Sequence, residues 1–249
     1  MKLYHELAEY YFAIENNNRD IRNDVSFILD LLTRKNDPFL IDLGCGTGEH
    51  LAMIAKEGIR CTGIDISEEM LAVAHKRFPG CIEFLLLDMT EIDYDGAFDM
   101  VICLFGSFNY LLHDADIKST LAKIRRAMRA GALGVFEIWN TPPIVKIKEK
   151  GIGPVSATEC GDAVIKRERG FKMRENDGRT VVEVNYRYTI DGRGGSETMR
   201  DRHIMRAFTA DEITGFLTGA GLTVKNIYSN FLYEPYEENS NRMVVLFAK

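Results

Sequence analysis

Five short apolar runs, each followed by a segment with helical spacing or a turn into one, fill residues 39 to 139: FLIDL, IRCTGIDI, IEFLLLD, FDMVICLF and GALGVFEIW. Strands that alternate with helices pair in parallel, because each return crossing is made by a helix, and the helices then cover both faces of the sheet. Parallel strands are buried on both sides, so they read as continuous apolar runs, as these do. The helices carry their own punctuation. Ser67 stands as an N-cap before EEMLAVAHKRF, with Glu68 and Glu69 at the positive end of the helix. Gly58 closes a helix that uses Leu51, Ile54 and Ala55. Residues 114 to 129 read as a further helix, and residues 3 to 14 and 21 to 32 as two that precede the first strand.

After Trp139 the rhythm changes. TVVEVNYRYTI alternates strictly, with Val182, Val184, Tyr186, Tyr188 and Ile190 on one face and Glu183, Asn185 and Arg187 on the other. The turn signals ENDG and DGRGG bracket it, so an antiparallel meander is expected over roughly residues 155 to 207. FTADEITGFLTGAG restores a helix, with a capping box of Thr209 and Glu212, a hydrophobic staple of Phe208 and Ile213, and Gly221 as the stop. LTVKNIYSNFLY and RMVVLFAK supply two last strands. The expected organisation is therefore N-terminal lid helices (1–37), an α/β core (38–140), an antiparallel β insert that caps the substrate (141–207), and the remainder of the core (208–249).

Other classes are disfavoured by composition. A formal charge of −6 lacks the clustered cations that give nucleic-acid binders their affinity. No apolar run reaches the length of a membrane span, and MKLYHELAEYY is too polar for a secretion leader. The five cysteines (Cys45, Cys61, Cys81, Cys103 and Cys160) are odd in number and form no CxxC pair, which reads as reduced thiols in the cytoplasm and no zinc site. No metal is expected.

The first strand runs into DLGCGTGE, with glycine at positions 44, 46 and 48. An open parallel sheet binds its ligand at the carboxyl ends of its strands, beside the point where strand order reverses. A dinucleotide fingerprint would need glycine at position 49, where Glu49 stands, and a phosphate-binding P-loop would need a lysine that does not follow. Asp65, 21 residues after Gly44 at the end of the second strand, can accept both hydroxyls of a ribose. Asp88, at the end of the third, can accept an adenine amino group while the Met89 N–H meets a ring nitrogen. Together these describe an adenosine without phosphate, and S-adenosylmethionine fits. Two plainer readings stay open: glycines needed for close packing alone, and Asp65 as an acid at a helix N-terminus.

DLGCGTG, GIDISEEML, LLLDMTE and FDMVICLFGSFNYL resemble the successive motifs of the class I S-adenosylmethionine-dependent methyltransferases, in order and spacing, over residues 38 to 139. More loosely, LAEYYFAIENNNRDIRNDVSFI, the antiparallel insert and HIMRAFTADEI resemble a subgroup with small-molecule substrates that includes the amino-sugar N,N-dimethyltransferases. The resemblance implies a Rossmann-like seven-stranded sheet, mostly parallel with its last strand antiparallel, and an antiparallel meander inserted after the fifth strand. It implies that Asp42, Gly44, Cys45 (through its carbonyl), Gly46 and Gly48 hold the methionine end of the donor. Asp65 would take the ribose, Ile66 would pack on adenine, and Asp88 and Met89 would read its edge. Leu104 would offer a carbonyl to the donor's amino group, Arg19 would pair with its carboxylate, and Tyr11 would sit over the methyl group. The product is S-adenosylhomocysteine.

Phe108, Asn109 and Tyr110, just past the fourth strand, are expected to line the acceptor pocket. Their context, GSFNYL, lacks the Asn/Asp-Pro-Pro-Tyr/Phe pattern of enzymes that methylate planar nitrogens of bases or amides. His203 and Arg206 lie where the insert returns to the sheet, and substrate contact and sheet-face hydrogen bonding are both open for them. Tyr11, Tyr110 and His203 are the catalytic candidates; Phe108, Asn109 and Arg206 are the substrate-binding ones. His5, His50, His75 and His113 are expected on surfaces or in packing, Asp99 at the far end of the sheet, and Cys103 in the core. Displacement at a sulfonium needs alignment and a dry site more than a base, which favours transfer to nitrogen on a small molecule. RNA or protein methylation and a non-catalytic S-adenosylmethionine sensor are the alternatives, and monomer and homodimer both remain open.

Overall fold

A computed structural model describes residues 1–17, 19–33, 35–80, 82–176 and 178–249; Cys81 and the ENDG residue Asp177 lie outside the described residues. Seven strands form the main sheet: β1 (Phe39–Leu43), β2 (Arg60–Asp65), β3 (Glu83–Leu86), β4 (Phe98–Cys103), β5 (Met128–Trp139), β10 (Thr223–Tyr228) and β11 (Arg242–Ala248). Their order is β10-β11-β5-β4-β1-β2-β3. All pairings among β1 to β5 are parallel, and β11 is antiparallel to both β5 and β10. The last strand is thus the reversed one, as expected, and it sits inside the sheet between β5 and β10.

Side chains alternate across the strands into two apolar layers. Ile41, Leu43, Val101 and Cys103 pack with α5 (Asp114–Ala127) and α7 (Ala210–Gly219), whereas Leu40, Met100 and Ile102 pack with α2 (Ile21–Leu32), α3 (Glu49–Lys56) and α4 (Glu68–Arg77). Several local readings hold. Ser67 accepts from the Met70 N–H, and Thr209 and Glu212 form the capping box of α7.

The chain leaves the sheet after Trp139 through α6 (Thr141–Ile147) and runs an antiparallel sheet of β6 (Glu149–Cys160), β7 (Ala163–Asn176), β8 (Arg179–Gly192) and β9 (Gly195–Ala207), in that order. The meander therefore starts earlier than the alternating pattern showed, because the Gly-Ile-Gly-Pro stretch of β6 carries no alternation. The exit and the return are pinned side by side: Phe208 donates its N–H to the Trp139 carbonyl at 3.0 Å, and Thr141 donates to the Phe208 carbonyl at 2.9 Å.

The N-terminal segment lies between the two sheets. It starts as a single 3-10 turn, Lys2–Tyr4, and becomes α1 only at Ala8–Asn16, so the helix expected from residue 3 is broken. The reason lies in distant partners: the Leu3 N–H bonds the Asp201 carboxylate and the Tyr4 carbonyl accepts from the Ser67 hydroxyl. Further along, Glu9 pairs with Lys76 and Arg77 of α4, while Glu15 pairs with Arg167 of β7. One segment ties the cap to the core.

Candidate active site

The order of the strands reverses between β1 and β4, which are parallel neighbours though β2 and β3 intervene in sequence, so a crevice opens at their carboxyl ends. The glycine loop fills one side of it. Gly44, Gly46 and Gly48 have φ of 84°, 57° and 83°, the left-handed region that favours glycine. A Cβ at Gly44 would stand 2.6 Å from the Ser107 hydroxyl, and one at Gly48 would stand 2.7 Å from the Phe84 ring. Close packing is thus reason enough for those two. At Gly46 a Cβ would stand farther off, 3.2 Å from the Met70 methyl and 3.5 Å from the Tyr11 ring. Gly46 is the loop position that faces the cleft beneath α1.

Asp65 serves both readings left open for it. Its Oδ2 accepts the Gly46 N–H and its Oδ1 the Ser67 N–H, each at 2.9 Å, so it fixes the loop and the start of α4 together. Burial raises its pKa, against those bonds. Asp42 is more exceptional. It is buried, its Oδ1 has no hydrogen-bond partner, and burial with the nearby Asp65 charge pushes its pKa up to about 8. An orphaned buried carboxylate oxygen beside a left-handed glycine loop fits a cationic or N–H-bearing ligand group. At the tips of β2 and β3, Ile66 and Leu86 are 62% and 60% exposed, an apolar ledge suited to a flat ring. Asp88 caps the short turn Met89–Glu91 by accepting from the Thr90 N–H at 2.7 Å, and both Asp88 and Met89 are half-buried there. Cys45 and Leu104 are buried; their carbonyls accept from Gly48 and Ser107 respectively.

Two cavities meet at this crevice. A narrow one of about 30 Å³ runs along the loop past Asp42, Gly44, Cys45, Gly46 and Leu104. A larger one of about 600 Å³ lies under the antiparallel sheet, walled by Trp139, Ile144, Phe171, Val182, Val184 and Met205 on its apolar side. Tyr11, Glu15 and Phe105 line both. The polar corner of the large cavity holds a connected chain. The Tyr4 and Tyr110 hydroxyls are 2.9 Å apart, Tyr110 Oη is 2.5 Å from His203 Nδ1, and His203 Nε2 is 3.0 Å from Asp201 Oδ2. Burial raises the pKa of Tyr4, Tyr11 and Tyr110 well above the ordinary phenol value, so all three stay neutral. For Asp201 burial opposes ionisation, but the bonds from His203 and the Leu3 N–H outweigh it and hold the carboxyl well below its usual range.

Four expected roles need correction. Phe108 is fully buried and stacks on Phe136 in the core, and Asn109 is fully buried, bonding the Arg206 carbonyl and the Trp139 N–H. Neither lines the large cavity; Tyr110, next in the chain, does. Arg206 is buried against Asp114, Glu212 and the Leu112 carbonyl, over the Phe208 and Phe216 rings. The strand's two-residue period explains it: His203 and Met205 face the cavity and Arg206 faces away. Arg19 does line the cavity, but it pairs with Glu137 at 2.7 Å and Asp24 at 2.5 Å, so it meets a donor carboxylate only as a cation already shared by two acids.

Glu137, Asp201, Glu15 and Arg167 are polar groups of the site that the sequence reading passed over. Glu137 is the lone charge in the otherwise apolar run GALGVFEIW, which is itself a signal that a cation must be near. His50, expected on a surface or in packing, has a partner in Asp24 at 3.0 Å. Among the described residues no group of three His, Cys, Asp or Glu side chains is placed to hold a metal ion, and no helix is long and apolar enough to cross a membrane.

Comparison with known proteins agrees with this architecture. Residues 40–131 match the family model described as a methyltransferase domain. The dTDP-3-amino-3,6-dideoxy-alpha-D-glucopyranose N,N-dimethyltransferase of Streptomyces fradiae is 27% identical over 224 residues, covering 88% of this chain and 85% of that protein. A related N,N-dimethyltransferase of Streptomyces venezuelae is 28% identical over 215 residues, 83% of this chain and 85% of its own. Among solved structures, an S-adenosylmethionine-dependent methyltransferase from Clostridium acetobutylicum superposes with a TM-score of 0.81 at 17% identity, over 98% of both chains. An amino pentose methyltransferase from Micromonospora echinaspora, solved with S-adenosylmethionine bound, gives 0.77 at 21% identity over 96% of both. With that domain on this sheet, the chain is an S-adenosylmethionine-dependent methyltransferase that resembles the class I enzymes in fold and the amino-sugar N-methyltransferases among them.

Proposed function

We propose that the enzyme transfers the methyl group of S-adenosylmethionine to an amine nitrogen of a small molecule held in the cavity under the antiparallel sheet. The observation that carries this reading is the pair of cavities that share Tyr11, Glu15 and Phe105 as a common wall. The donor supplies a methyl group already activated by positively charged sulfur, so the chain's own task is to bind, align and keep water out. Asp42, Gly44, Cys45, Gly46 and Gly48 hold the methionine end, where the unpartnered Asp42 oxygen takes a donor N–H. Asp65 takes the ribose, Ile66 packs on the adenine, Asp88 and Met89 read its edge, and the Leu104 carbonyl faces the amino group. Tyr11 stands where the narrow and wide spaces join, over the methyl group. Tyr110 and His203 meet the acceptor at the polar corner, and Trp139, Phe171 and Met205 shape its apolar part. The N,N-dimethyltransferase relatives are named for amino sugars carried on dTDP, which supports an amine and a small acceptor.

Calorimetric titration with S-adenosylmethionine tests the donor placement. Asp65→Ala is expected to weaken binding by about 1–3 kcal/mol, the scale of a lost buried hydrogen-bond partner. Unchanged affinity in that variant would remove the ribose assignment.

A further inference from the structure

His203 joins two spaces that the fold keeps apart. Its Nδ1 meets Tyr110, which lines the acceptor cavity together with Tyr4. Its Nε2 meets Asp201, which lines an open hollow of about 680 Å³ on the outer side, bounded also by Lys2, His5, Glu6, Glu69, Arg200 and Arg202. The imidazole is itself buried, packed between the rings of Tyr4 and Tyr186 at 5.5 and 5.1 Å. The groups facing it are therefore three phenols and one carboxylate.

The carboxylate fixes the direction of the whole chain. An ionised Asp201 can only accept, so Nε2 carries the hydrogen that meets it. In the neutral imidazole Nδ1 is then bare and accepts, so the Tyr110 hydroxyl donates to it. Tyr110 has spent its only hydrogen, so Tyr4 donates to Tyr110. Every hydrogen points from the acceptor cavity towards Asp201, and the open end of the chain is a phenolic oxygen free to accept.

We propose that Tyr4, Tyr110, His203 and Asp201 form a one-way proton path from the acceptor cavity to the outer hollow, with Asp201 as the positioning residue that sets its direction. The proposal rests on the amine reading above. An amine bound as its ammonium form has no lone pair with which to attack. Its proton passes to a phenolic oxygen, each hydroxyl hydrogen shifts one place along, and His203 ends as an imidazolium against the Asp201 carboxylate. The N–C bond then forms as the C–S bond breaks, with the electron pair leaving on sulfur. The new ammonium sheds a proton by the same route once the Nε2 proton has left through the hollow, the imidazole has regained its starting tautomer and the two hydroxyls have turned back, which readies the nitrogen for a second methyl group.

The wiring can be read without turnover, from the imidazole ¹⁵N resonances of His203 across a pH titration of the full chain. The wild type is expected to show hydrogen on Nε2 and none on Nδ1. In Asp201→Asn the pH at which the second proton adds should fall by about one unit or more, the effect of removing an opposite charge in contact. Tyr110→Phe offers a second variant should Asp201→Asn fold poorly, and in it the Nδ1 resonance should move to that of a nitrogen without a donor. Hydrogen on Nδ1 in the wild type, or a titration indifferent to Asp201→Asn, overturns the path. With dTDP-3-amino-3,6-dideoxy-alpha-D-glucopyranose as acceptor, the acid limb of kcat should shift with the His203 midpoint while S-adenosylhomocysteine affinity holds within about twofold. A kcat limb that ignores the shift overturns the catalytic use of the path. A wild type that leaves this amine unmethylated, with His203 behaving as expected, instead counts against the acceptor reading and supports the wiring.

Discussion

The Glu137 carboxylate on β5 accepts a hydrogen bond from the Phe105 backbone N–H at 2.9 Å, across the tip of β4. Phe105 is held there at a φ of 53°, a conformation that non-glycine residues enter at a cost. Its ring lies 4.1 Å beneath the Arg19 guanidinium, and Arg19 and Arg242 both pair with Glu137. One buried acid thus holds the wall shared by the two cavities and pairs with two cations beside it.

Replacing that acid should cost stability. Glu137→Gln keeps an acceptor for Phe105 but leaves Arg19 and Arg242 short of a charge, and a loss of about 3 kcal/mol in urea denaturation is expected. Burial alone would raise the Glu137 pKa, yet the two guanidiniums outweigh it and bring it down to about 2. A carboxyl lowered on folding stabilises above its ordinary value near 4.5 and loses that contribution as pH falls towards 2. Wild-type stability should therefore drop through that window, and the drop should be shallower in Glu137→Gln. Parallel curves for the two proteins would contradict this.

Donor binding should release a proton. With its pKa raised to about 8, Asp42 carries a proton in the free protein at pH 7. A cationic ligand group beside it favours the ionised form, so binding expels that proton. Calorimetry at pH 7 in buffers of different ionisation enthalpy should report release approaching one proton, fading by about pH 9 and absent in Asp42→Asn.

The three glycines should separate by substitution. Gly44→Ala and Gly48→Ala drive a Cβ to within 2.6 Å of Ser107 and 2.7 Å of Phe84, so both should lower the melting midpoint by several degrees. Gly46→Ala meets nothing nearer than the Met70 methyl at 3.2 Å and should cost about 1–2 kcal/mol for its left-handed backbone. Its larger effect should appear in the affinity for S-adenosylmethionine. Equal loss of stability in all three would mean that the loop is shaped by packing alone.

The sheet was legible because strands buried on both faces write themselves as continuous apolar runs, and Ser67 and Thr209 mark helix starts by local chemistry alone. The candidate donor residues Asp42, Asp65 and Asp88 stand out for the same reason, since each lies at or just past the end of such a run. The acceptor side depends on contacts between distant segments. Whether His203 or Arg206 faces the cavity is decided by the register of β9, and nothing within HIMRAF fixes that parity. Phe108 looked like pocket lining until its turn was seen to fold back on Phe136. The break in the first helix comes from Asp201 and Ser67, partners 198 and 63 residues away along the chain.

Nitrogen on a small molecule is the proposed destination of the methyl group. S-adenosylmethionine labelled with ¹³C in its methyl group, incubated with the enzyme and dTDP-linked 3-amino and 4-amino deoxy sugars, puts it to the question. A ¹³C resonance in the N-methyl region is expected, lost in His203→Ala and unaltered by omitting metal ions. Label on oxygen or carbon, or donor bound with no transfer to any of these amines, would contradict it.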